Sequence, residues 1–83
     1  MSMIFFTFRA QTGARKGVMI LGRVGIQGFV ARTPGFLSTG GCGYGIRVAA
    51  KDGRRAAAEL RAGGYPYERS FWLDGNRGRE VGL

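Results

Sequence analysis

Apolar positions along the chain change period several times, and each change marks an element. In residues 3–8, a stretch rich in strand formers, Ile4, Phe6 and Phe8 fall on alternate positions and predict a first strand with one apolar face. Ala14, Val18, Leu21 and Gly25 then recur at helical spacing, and Thr12 is placed to cap a helix over residues 12–23. Gly13, Gly17 and Gly22 each cost that helix up to about 1 kcal/mol against alanine, but they let it lie close to a sheet. After a break at Gly25-Ile26-Gln27-Gly28, residues 29–33 read as a second strand ended by Pro34. In residues 44–49, Tyr44, Ile46 and Val48 alternate with Gly45, Arg47 and Ala49, which gives a third strand. Asp52 is placed to cap a second helix with Ala56, Ala57 and Leu60 toward the core, and Gly63-Gly64 stop it. Residues 67–73 form the last expected strand.

The order is β-α-β-β-α-β. With right-handed crossovers it predicts an α+β, ferredoxin-like fold: a four-stranded antiparallel sheet with two helices on one face. Residues 1–73 make a single domain, and the polar, glycine-rich residues 74–83 are expected to be a flexible basic tail. Phe5, Phe29, Phe71 and Trp72 are expected in core or edge packing. A hydrophobic fraction of 45% over 83 residues is too high for a disordered chain. No stretch reaches the roughly 18 to 20 apolar residues of a membrane span. The apolar opening has no basic region before it and is too short for a signal peptide. One cysteine makes no internal disulfide, which favours a reducing compartment, so a soluble cytoplasmic protein is expected.

Charge and missing residue types narrow the chemistry. Thirteen basic residues, all but Lys16 and Lys51 arginine, stand against five acids, for a net charge of +8. They are spread along the chain as a solvated surface or a polyanion-binding one. Histidine is absent, so neither a Cys-His dyad nor a Ser-His-Asp triad can be built within the chain. The acids Asp52, Glu59, Glu68, Asp74 and Glu80 are scattered, without a pair for general acid/base work or a metal-ligand cluster. Neither nucleotide-binding glycine signature is present, and no cofactor or metal is expected. The third strand lacks the outward aromatic pair of an RNA-recognition sheet. A binding module remains, or chemistry on a single sulfur.

That sulfur is Cys42, within Ser38-Thr39-Gly40-Gly41-Cys42-Gly43-Tyr44-Gly45, in the loop joining strands two and three. Glycines on both sides put little bulk over the thiol and let backbone amides converge on an anion. With Arg32 at the end of strand two and Arg47 in strand three adding positive charge, the thiol pKa is expected below its reference of about 8.5. The plainer alternative is a small, inert cysteine filling a turn.

Pro34 upstream, the Gly41-Cys42-Gly43 loop and the Ile46-Arg47-Val48 strand downstream give the chain a family likeness. Over residues 4–73 it resembles the selenium/sulfur carrier protein-like family. The likeness also takes in Phe6-Thr7-Phe8, residues 14–21, Ile26, Arg32-Thr33-Pro34, Gly64-Tyr65 and Tyr67-Glu68, and the helices are its weak matches. Gly35-Phe36-Leu37 departs from the family's more polar lead into the loop, and residues 74–83 lie outside the likeness. The resemblance implies a non-enzymatic carrier. Cys42 would accept sulfane sulfur or selenium from a donor such as a cysteine desulfurase, hold it as a persulfide or selenosulfide, and pass it to an acceptor enzyme. Gly41 and Gly43 would shape access within a supporting loop that includes Ser38, Thr39 and Gly40, Arg32 and Arg47 would steady the anionic adduct, and the scattered arginines would dock acidic partners. The alternative is a basic interaction module for nucleic acid or an acidic protein, with Cys42 structural. A redox-sensing thiol is a third reading; it would need glutathione or a second chain to resolve it. Pairing of two copies through an edge strand or through Cys42 also stays open.

Overall fold

Residues 4–8 are buried without interruption, so the first strand can be neither an edge strand nor half-solvated. In the computed structural model, which describes residues 2–37 and 43–83, this strand is the centre of the sheet. The elements are β1 (Ser2–Phe8), α1 (Gln11–Arg23), β2 (Gly28–Arg32), β3 (Tyr44–Ala49), α2 (Gly53–Ala62), β4 (Ser70–Asp74) and β5 (Arg77–Glu80). The sheet runs β2-β3-β1-β4-β5, with every neighbouring pair antiparallel. The chain is thus α+β, with a five-stranded antiparallel sheet and two helices, compatible with a ferredoxin-like type of arrangement.

The expected four strands become five. The added one, β5, comes from the segment read as a tail. Asp74 and Arg77 face each other across a two-residue loop, Gly75-Asn76, and Gly75 has φ +62°. Such a loop with a left-handed glycine closes an antiparallel hairpin. Ser70 Oγ donates to the Val81 carbonyl at 2.6 Å, and the Val81 N–H donates to the Ser70 carbonyl at 2.9 Å, which continues the pairing past Glu80.

Ile4, Phe6 and Phe8 of β1 share one core with Ile46 and Val48 of β3, Ala14 and Leu21 of α1, and Ala56, Ala57 and Leu60 of α2. Both helices therefore cover the same side of the sheet. Gly17 faces the sheet in α1, where a Cβ would lie 2.6 Å from Ile46 Cδ1 and 2.9 Å from Leu60 Cδ2. The glycine cost to helix propensity is offset by a close three-way contact. Neither helix uses its expected cap: α1 starts after Ala10, and Asp52 makes no capping hydrogen bond with its side chain.

A second core lies on the other side of the sheet, formed by Phe5, Phe71, Leu73 and Leu37. Gly45 makes room for it. A Cβ there would stand 2.2 Å from the Phe6 carbonyl oxygen and 2.6 Å from the Phe5 ring. Phe5 thus lies over the bare backbone of β3.

Candidate functional site

The β2–β3 hairpin positions the loop that carries Cys42. Arg32 and Tyr44 are its last register pair, and the Thr33 N–H donates to the Gly43 carbonyl at 3.0 Å, one step beyond them. The two ends of the loop are therefore tied to each other. Residues 35–37 form a 3-10 turn, with the Leu37 N–H donating to the Pro34 carbonyl at 3.1 Å. Ser38, Thr39, Gly40, Gly41 and Cys42 lie outside the described residues, as does the expected acidity of the thiol.

The first part of this loop is a strap. β2 and β5 are opposite edges of the sheet, yet Leu37 and Phe36 reach β5. A Cβ at Gly78 would lie 2.4 Å from Leu37 Cδ2 and 3.2 Å from Phe36 Cε2. Leu37 is buried against Phe5, Phe71 and Leu73, while Phe36 stays half exposed. Gly35-Phe36-Leu37 forms this anchor: an apolar residue is needed there because the face beneath it is apolar.

Of the site residues expected from sequence, the structure brings Arg32 and Gly43 together at the hairpin mouth. The Arg32 guanidinium lies 6.0 Å from the centroid of the Tyr44 ring. Arg47 is elsewhere. It stands opposite Phe5 and Phe29 on the strapped side, three residues from Tyr44 and so on the other face of β3, about 10 Å along the strand. Beside it Phe29, expected in packing, is 47% exposed on the β2 edge. Thr33 Oγ1 is buried at the same mouth, without a hydrogen-bond partner among the described residues.

Sequence reasoning missed the strap and the cationic edge. Arg77 and Arg79 belong to β5, exposed along its whole length. The hairpin signal was present in Asp74-Gly75-Asn76, but its polarity also fits a tail. Among the described residues, no group of three or more His, Cys, Asp or Glu is placed to hold a metal. No described helix is long and apolar enough to cross a membrane. Comparison of the chain with family models, with curated proteins and with solved structures finds no match.

Proposed function

We propose that this protein is a sulfur or selenium carrier of ferredoxin-like type, in which Cys42 holds the chalcogen between a donor and an acceptor protein. The observation that carries this reading is the closed hairpin mouth. The only thiol of the chain immediately precedes Gly43, whose carbonyl is fixed by Thr33, and Arg32 supplies a cation at the same end of the hairpin. The strap anchored by Leu37 gives the preceding segment a fixed starting point on the sheet.

Transfer needs no cofactor. The Cys42 thiolate attacks the outer sulfur of a cysteine persulfide on the donor. A new S–S bond forms as the donor's S–S bond breaks, and the donor leaves as a thiolate that takes up a proton. Cys42 then carries the sulfur as Cys–S–SH. A nucleophile of the acceptor removes the outer sulfur and releases the Cys42 thiolate. Sulfane sulfur moves between thiols without net oxidation, so one cysteine suffices, and no histidine is required if the thiolate is already formed.

Intact mass after incubation with a cysteine desulfurase and cysteine, or selenocysteine, tests the reading. The expected result is a gain of one sulfur or selenium in the wild type, absent from Cys42→Ser and removed by reductant. An unmodified wild type with an active desulfurase, and a thiol alkylated only on unfolding, would overturn it.

A further inference from the structure

β5 carries a second feature that is independent of Cys42. It is the edge of the sheet beyond β4, and Arg77, Gly78, Arg79 and Glu80 are all exposed. Its backbone polarity follows from the register. Val81 bonds inward to Ser70, and hydrogen-bonded pairs alternate along an antiparallel ladder. Arg79 and Arg77 therefore bond inward, opposite Trp72 and Asp74, while the N–H and C=O of Gly78 and Glu80 point to the free edge.

The side chains add charge and shape. Arg77 and Arg79 lie on one face of the strand, and among the described residues neither makes an ion pair or a side-chain hydrogen bond. A depression of about 640 Å³ lies beside the turn residue Asn76, lined by Phe36, Trp72, Gly78, Arg77 and Arg79, with Asp74 as its one carboxylate against the two arginines. Phe36 and Gly78 belong to the strapped face of the sheet, whereas Trp72 and the two arginines belong to the helix-covered face. A groove walled from both faces of an edge strand fits an added strand, whose side chains alternate between the same two faces.

We infer that β5 is the docking edge for an extended acidic segment of another protein, which adds to the sheet as a sixth strand. Acidic side chains at alternate positions would meet Arg77 and Arg79. The position between them would turn a small apolar side chain toward Gly78 and Phe36. A net charge of +8 favours an acidic partner over a neutral one. A second copy of this chain fits poorly: antiparallel addition through the same strand sets same-face residues opposite each other, which is arginine against arginine. Nucleic acid fits less well than peptide, because the free edge offers paired donors and acceptors and Glu80 sits on its rim.

Trp72 is the only tryptophan, so its emission reports on the groove. The full chain is titrated with a capped Glu-Val-Glu-Val-Glu peptide, its lysine counterpart and a short oligothymidylate. The acidic peptide is expected to shift Trp72 emission saturably and to slow amide exchange at Gly78 and Glu80 on the wild type, leaving Arg77 and Arg79 unchanged. Arg77→Glu with Arg79→Glu should weaken the acidic peptide by about tenfold or more and turn the preference to the lysine peptide. Arg79→Gln alone should give a smaller loss in the same direction. Charge-dependent binding without protection at Gly78 and Glu80, tighter binding of the oligothymidylate, or no Trp72 response would each overturn the proposal.

Discussion

Phe5 and Phe6 are adjacent in β1 and both are buried, but by different means. Phe6 lies in the core built by two helices, with the Tyr67 ring 4.7 Å away, centroid to centroid. Phe5 lies over a glycine and against Leu37, held by a short strap rather than by a helix. A helix covers a sheet with a repeating stripe of side chains, so one loss is shared among its neighbours. A strap covers it through one anchor, and that anchor belongs to the loop that leads to Cys42. On this side of the sheet, folding and the candidate chemistry depend on the same few residues.

The largest effect expected from breaking this contrast is at Gly45. Gly45→Ala forces a methyl against the Phe6 carbonyl and the Phe5 ring, neither of which can yield without opening the β1–β3 pairing. A loss of about 3 kcal/mol or more is expected in urea unfolding. An unchanged midpoint would show that Phe5 is free to repack.

Deleting one side chain from each cover sharpens the comparison. Leu60→Ala, in the helix-covered core, should cost about 3 kcal/mol, and Leu37→Ala about 2 kcal/mol, near the low end for a buried leucine. The two variants separate more clearly at Cys42. Under the carrier reading, Leu37→Ala should slow sulfur uptake several-fold, whereas Leu60→Ala, measured where it is still folded, should leave it unchanged. Equal uptake rates in both would disconnect the strap from the thiol.

The smallest effect concerns the strand edge. Arg69 donates to Glu80 through Nε at 3.0 Å and Nη2 at 2.5 Å. These hydrogen bonds hold the Glu80 carboxyl below its ordinary value of 4.5 against an opposing desolvation, with a lesser contribution from the charge of the guanidinium. A depressed carboxyl stabilises the fold fully above about pH 4.5 and loses that contribution as pH falls through its folded value. Wild type and Glu80→Gln should therefore differ slightly at neutral pH and converge in acid, as thermal melts would read. The pair is exposed, so the difference is small.

Much of the fold was legible because its signals are local. The third strand matches residue for residue, and Ala56, Ala57 and Leu60 do face the core. The tail was misread because Asp74-Gly75-Asn76 and the arginines after it look the same, residue by residue, whether they fray or form a hairpin. What separates the two is the exposed flank of β4, which only the assembled sheet provides. For the candidate site, the sequence pointed to Cys42 and its glycines, of which only Gly43 and Gly45 lie among the described residues, and to Arg32, which does end β2. The place of Arg47 followed instead from strand parity, which sets it on the face away from Arg32.

The chain by itself determined the order of its central elements, the absence of histidine chemistry, its basic charge and its single thiol. These properties depend on composition and on periods of two and 3.6 residues, which need no partner in space. The tertiary structure decided which face each aromatic covers, why Gly17 and Gly45 are glycine, how Leu37 ties a loop to the far edge of the sheet, and that β5 ends the sheet as an exposed cationic edge among the described residues. Those outcomes depend on contacts between residues distant in sequence, and no local pattern encodes which distant residue will be met.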